Sequence, residues 1–181
     1  MTPSTGSRLQ DFRQRRDRLF ANGDASPLTE RDRERFSGLN YYPERPDLVL
    51  ALPLETNGEG AGEPVHLAMS DGAEKPYLRA GHVTFDVDGR PATLTVFTDL
   101  GRGHFFLPFK DATSGVETYA GGRYVEPRLR PDGTLSLDFN YAYNPYCAYA
   151  EGWSCPIPPT ENDLTVPIAA GEKAFDPETG A

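Results

Sequence analysis

No run in this chain approaches the ~18 consecutive apolar residues of a membrane-spanning helix. The first twenty residues, MTPSTGSRLQDFRQRRDRLF, hold no apolar stretch of the kind a secretory signal needs. These absences predict a cytoplasmic protein with no membrane partner. The motifs GxxxxGK[ST], GxGxxG and HExxH are missing too, which removes the usual phosphate-cradle, dinucleotide and zinc-protease signatures. The cofactor, if there is one, is therefore unknown from motifs. Cysteine, histidine, methionine and tryptophan are scarce, at two, three, two and one. No CxxC knuckle or internal repeat is present.

Positive charge is also in short supply. The net charge is −9 over 181 residues, which argues against non-specific binding of nucleic acid. The deficit is uneven. Residues 1–36 hold eight Arg against six Asp or Glu, a surplus of two, so the remaining residues carry −11. The basic start reads as a solvated helix face or as a docking surface for an acidic partner.

The length fits one domain, 1–181, with a helical segment (8–37), a β region (47–173) and a loose tail (174–181). Residues 8–21 have helical spacing, with Leu9, Phe12, Arg16, Leu19 and Phe20 on one face. Asn22-Gly23 should end that helix. Ser26-Pro27 should start a second one, running to about Phe36 or Ser37 before Gly38. After Pro46 the period becomes two. Strands are predicted at Leu48–Leu54, Val65–Met69, Phe105–Phe109, within 116–126, at Leu135–Phe139 and at Leu164–Ala169. Residues 83–87 and 92–98 alternate on either side of Asp88-Gly89, the clearest hairpin. No helical pattern separates the strands, so parallel crossovers are excluded. The expected fold is mainly β: an antiparallel barrel or strongly bent sandwich of about eight strands, with two N-terminal helices packed against it.

The segment 139–160, FNYAYNPYCAYAEGWSCPIPPT, stands apart. It holds both cysteines, the one tryptophan, four tyrosines and four prolines, with Glu151 as its single charge. It is too apolar for a solvated loop and too rich in proline for a helix or central strand. It should be ordered irregular backbone, where sites tend to be built.

Two stretches carry a resemblance. FKDATSGVETYAGGRY (109–124), and DFNYAYNPYCAY with WSCPIPPTENDLTVPIAAGEK (within 138–173), are similar to the bacterial and archaeal family catalogued as domain of unknown function 1684. SPLTERDRERFSGLNYYPERP (26–46) resembles that family's N-terminal pattern. The resemblance implies no reaction. Tyr141 and Ala150 stand where more polar residues are expected.

Several residues could carry chemistry. In 109–124, Asp111 belongs to a self-bonded DATSG turn. Gly121-Gly122 suggests a bulge or a close backbone or ligand approach. Arg123 beside Tyr124 could hold a carboxylate or phosphate, or pin the turn through Asp111 or Asp138. Asn140, Tyr143 and Asn144 could line a pocket or satisfy buried backbone. Glu161 follows a proline corner, where a carboxylate could act as general base or lock the loop through its amides. His104 could sit on a pocket rim. Cys147 and Cys155 could be inert, form a disulfide, or supply half of a metal site.

Three functions compete. The first is a small-molecule site, for an anionic ligand or for catalysis, between 109–124 and 138–173, with Glu161 as base and Arg123 as anion holder. The second is an interaction or homodimerisation module presenting exposed Tyr146, Tyr149 and Trp153. The third is a metal or redox role for Cys147 and Cys155.

Overall fold

The computed structural model describes residues 7–178. Helix α1 (Arg8–Asn22) starts in a capping box, Ser7 accepting from the Gln10 amide while the Gln10 side chain accepts from the Ser7 amide. Helix α2 is shorter than expected, Glu30–Arg35, because Thr29 caps it through the Asp32 amide. Ser26 instead accepts from the Leu28 amide and donates to the Phe20 carbonyl, which holds the linker between the helices. Gly23 ends α1 as expected, with extended backbone (φ −74°).

Eight strands follow: β1 (Val49–Leu52), β2 (Pro64–Ala68), β3 (Glu74–Val87), β4 (Arg90–Asp99), β5 (Phe105–Phe109), β6 (Arg123–Val125), β7 (Arg128–Leu129) and β8 (Leu135–Asp138). All pairings between these strands are antiparallel. They make two sheets, β1-β8-β7 and β2-β3-β4-β5-β6, with no closed barrel among the described residues. The β3–β4 hairpin turns at Asp88-Gly89, both with positive φ, as its sequence predicts. Strand β3 is longer than its alternation suggested, because a register shift between Arg79 and Gly81 lets it continue past the break in pattern.

The main core joins both sheets: Val83, Phe85, Leu94, Val96 and Leu107 from the larger, Leu135 and Leu137 from the smaller. A separate cluster seats the helices. Phe20 meets Tyr149 edge-on at 4.7 Å and packs with Leu28 and Leu39. Phe175 meets Tyr149 edge-on at 5.5 Å, and the Ala174 amide donates to the Glu117 carbonyl, so the predicted loose tail is tied down there; 179–181 lie outside the described residues.

The strand expected at Leu164–Ala169 is not one. The Ile168 amide donates to the Asp111 carboxylate (2.5 Å) and the Ile168 carbonyl accepts from Arg123 (2.8 Å). Backbone of 110–112 bonds the first half of the segment, the Leu164 amide donating to the Lys110 carbonyl (2.8 Å) and the Ala112 amide to the Val166 carbonyl (3.2 Å), and side chains take over at Ile168. The segment 139–160 is ordered irregular backbone as expected, with 3-10 turns at Phe139–Tyr141 and Tyr146–Ala148.

Candidate functional site

Arg8, Asp11, Phe12 and Arg15 recur at the spacing of one helical stripe, and that stripe of α1 overhangs the edge formed by β6, β7 and β8. Between them lies a cleft of about 500 Å³. Its floor follows from strand period. Leu135 and Leu137 go to the core, so Ser136 and Asp138 face the cleft. Phe12 and Tyr141 meet edge-on at 4.9 Å and, with Tyr143, make its aromatic wall.

The charges in the cleft are not equivalent. Glu126 accepts from the Tyr143 hydroxyl (2.9 Å) and has His104 Nε2 at 3.6 Å. Asp138 accepts from the Asn140 amide and side-chain nitrogen (2.9 and 2.8 Å). The guanidinium groups of Arg8, Arg15 and Arg128 make no ion pair or hydrogen bond among the described residues, although Arg8 and Arg15 lie near enough to act on the Tyr141 phenol. Burial pushes the Tyr143 phenol well above its ordinary range, and Glu126 adds to this, so Tyr143 is a neutral donor and apolar wall at neutral pH.

A second, smaller cleft of about 310 Å³ lies over the β3–β4 face beside the bulge. Glu161 lines it, with Arg79, His82 and Thr95. Its Oε2 already accepts from Thr95 Oγ1 (2.7 Å) and from Arg79. His82 faces Glu55 at 3.1 Å. These bonds tie Glu161 to the sheet through side chains of β3 and β4, and not through the loop amides expected for it. Its neighbour completes the lock. Asn162, fully buried, accepts from the Thr95 amide and donates to the Thr95 and Pro108 carbonyls, each at 2.8 Å. Asn162→Ala should leave these groups unpaired and cost about 2–4 kcal/mol, read as a Tm lower by roughly 4–15 °C.

Arg123 is buried in the fold. It is 1% exposed; its guanidinium donates to the carbonyls of Ile168 (2.8 Å), Ala170 (2.5 Å) and Glu172 (3.2 Å) and to Asp111 (3.4 Å). Burial lowers the pKa of its guanidinium, and Asp111 opposes that. Asp111 is equally enclosed, held by Thr113, Ser114 and the Ile168 amide. The glycine pair serves this packing. Gly122 has φ +90°, and a Cβ there would stand 2.6 Å from the Phe109 carbonyl and 2.8 Å from Pro158. The close approach is backbone and proline.

The asparagines take their bland roles too. Asn140 clamps Arg45, accepting from its amide (2.7 Å) and donating to its carbonyl (2.9 Å). Asn144 donates to the Lys173 carbonyl (2.9 Å) and to Glu172 (3.3 Å). Tyr124 donates to the Pro156 carbonyl. Sequence reasoning missed Glu172, which is 1% exposed and holds Arg16 (2.8 Å), Tyr149 and Asn144. The signal was Arg16, a charge on an otherwise apolar helix face, which calls for a buried anion. The basic helix is thus partly internal and not only a solvated face.

The two motif segments do meet in space, through Arg123 and 168–172 and through Lys110 with Asn162. They meet in solid packing, and neither cleft touches both. Of the expected ligand residues, Tyr143 lines the larger cleft, His104 touches its wall through Glu126, and the rest stabilise the fold.

The loop's aromatics are mostly inward. Tyr149 is 6% exposed, Tyr146 half-buried, and Trp153 41% exposed. This departs from the exposed face an interaction module would need. Cys147 and Cys155 are adjacent free thiols, but among the described residues no group of three His, Cys, Asp or Glu side chains is arranged to hold a metal ion. No described helix is long and apolar enough to cross a membrane.

The chain is 38% identical to an uncharacterised protein from gene locus rrnAC0354 of Haloarcula marismortui, solved by NMR, with a TM-score of 0.67 and 91% of each chain covered. No curated protein matches. The sequence profile described as protein of unknown function (DUF1684) matches residues 34–173, spanning Arg123, Asn162, Glu172 and the thiol pair. The chain therefore belongs to the DUF1684 family.

Proposed function

We propose that this protein binds a small anionic molecule with an apolar or aromatic body in the cleft beneath α1. One observation carries the reading. Arg8, Arg15 and Arg128 line one hollow with guanidinium groups that have no hydrogen bond or ion pair among the described residues, while the carboxylates Glu126 and Asp138 are already accepting bonds. The formal charges cancel, since Asp11 is there too. Of the charged side chains left without a hydrogen bond or ion pair among the described residues, three are cationic and one, Asp11, is anionic, so the surplus favours an anion. Phe12, Tyr141 and Tyr143 supply the apolar wall that a ligand pocket of this size usually has. Relative to the site expected from sequence, the binding position moves off 109–124 and onto the helix, keeping only the start of the 138–173 segment.

The test is a fluorescence titration with 8-anilinonaphthalene-1-sulfonate, an aromatic anion. Saturable one-site binding is expected, weakened by added salt. A variant carrying Arg8→Ala, Arg15→Ala and Arg128→Ala should bind at least about tenfold more weakly, about 1.4 kcal/mol. These exposed arginines hold nothing in the fold, so each substitution should change stability by no more than about 0.5 kcal/mol. Equal affinity in wild type and variant would sink the proposal.

A further inference from the structure

The aromatic loop carries one chemically reactive pair that the cleft does not use. Cys147 Sγ stands 2.7 Å from Cys155 Sγ, against ~2.05 Å for a bonded pair. Both are free thiols. We propose that Cys147 and Cys155 form a reversible oxidation site, a dithiol that exchanges with a low-molecular-weight disulfide and closes the 147–155 loop with an intramolecular bond.

The two sulfurs are held from different directions, so their proximity is built and not incidental. Cys155 is fixed to the β2–β3 turn. Its amide donates to Ser70 Oγ (3.0 Å), and its carbonyl accepts from the Ser70 amide (2.9 Å). The Ile157 amide donates to the Ala68 carbonyl (2.8 Å), which extends this seam. Cys147 sits in the 3-10 turn Tyr146–Ala148, whose Tyr146 packs edge-on against Phe20 of α1 and against Trp153. The Ser70 hydroxyl reaches both halves. It donates to the Trp153 carbonyl (2.9 Å) and lies 3.2 Å from Cys147 Sγ. Oxidation would thus tie the turn beneath α1 to the β2–β3 edge.

The thiols are unequal, which orders the steps. Cys147 is half-buried, and Cys155 is 8% exposed. Burial pushes the Cys155 thiol up to about 11, with Cys147 beside it adding to the effect. Cys147 therefore attacks first. Its thiolate displaces one thiolate from the small disulfide, leaving a mixed disulfide on Cys147. Cys155 then loses its proton and attacks Cys147 Sγ, expelling the second thiolate. The protein has given up two protons and two electrons, and the small disulfide has become two thiols. On closure Cys147 loses the S–H bond it donates to the Trp153 carbonyl (3.2 Å), while Ser70 keeps its own. Trp153 is the only tryptophan, so its fluorescence reports the change.

The test uses the full chain, reduced, freed of reductant, equilibrated with excess oxidised glutathione and then alkylated with iodoacetamide. Expected is a monomer about 2 Da lighter than the reduced chain, with no alkyl group and no glutathione. Its Tm should exceed that of the reduced form by roughly 5–10 °C, and dithiothreitol should reverse both changes. Cys155→Ser should trap one glutathione on Cys147, at least tenfold faster than Cys147→Ser traps one on Cys155. Two alkylated cysteines, or glutathione retained on the wild-type chain, would overturn the proposal. That mass is decisive even if either variant fails to fold.

Discussion

Arg123→Ala should lower the Tm by roughly 10–20 °C, or leave no folded protein at room temperature. The substitution removes a cation that is 1% exposed and strips three carbonyls, those of Ile168, Ala170 and Glu172. It also leaves Asp111, with a fully enclosed side chain, without its counter-charge. Breaking a buried pair from one side costs about 3–5 kcal/mol, and the lost carbonyl bonds and the void add to it. At about 2–4 °C per kcal/mol for a chain of this size, the shift follows. Arg123→Lys keeps the charge but not the planar fork that reaches two elements at once, so it should recover only part of the loss. Urea and thermal unfolding measure both variants. A shift below about 3 °C for Arg123→Ala would mean that Arg123 is not what holds residues 168–172 in place of a partner strand.

Glu172→Ala should cost about 3–5 kcal/mol for a related reason. Its carboxylate is the shared acceptor for Arg16, Tyr149 and Asn144, and so joins α1 to the aromatic loop and to the chain's end. Gly171, at φ +76°, lets the chain place it. A Cβ there would lie 2.7 Å from the Phe139 carbonyl. Burial raises the Glu172 pKa above the ordinary glutamate range, and Arg16 and Tyr149 offset only part of that. Burial also opposes the Arg16 charge and is the largest single influence on it, but Glu172, Tyr149 and Tyr41 together more than compensate and hold Arg16 protonated. The pH sign follows. A carboxyl that binds its proton more tightly folded than unfolded gives its full contribution below the ordinary range, about pH 4.3, and loses it as pH rises through the folded value. Wild type should therefore exceed Glu172→Gln in Tm by more at pH 4 than at about pH 7. A gap that widens with pH would contradict the sign.

Local order was legible wherever a few consecutive residues decide it. The alternation of 83–87 and 92–98 around Asp88-Gly89 needs no distant partner, and the hairpin formed as read. Asp111, Thr113 and Ser114 bond within their own turn. The second helix was misplaced because Ser26 and Thr29 are both good caps, and Ser26 is drawn to the Phe20 carbonyl. Leu164–Ala169 has the composition of a strand, yet its backbone bonds to Lys110 and Ala112 give way at Ile168 to the side chains of Asp111 and Arg123, more than forty positions away. The site was hardest to read for the same reason. Tyr141 and Tyr143 belong to the conspicuous loop, but the cleft exists only because α1 lies over β7 and β8, far from it in sequence. The residues that looked most chemical, Arg123, Asn140 and Asn144, looked so because burying them needs many partners, and the fold supplies those partners internally.

The central claim is that ligand chemistry sits beneath α1. A ¹H–¹⁵N correlation titration of the full chain with 8-anilinonaphthalene-1-sulfonate tests it most directly. Saturable shifts are expected at the amides of Arg8–Arg15, Glu126–Arg128, Ser136, Asp138 and Tyr141–Tyr143, with little change at Arg79–His82 and Thr93–Thr95. Shifts concentrated at Arg79–His82 and Thr93–Thr95, or scattered without saturation, would contradict the account.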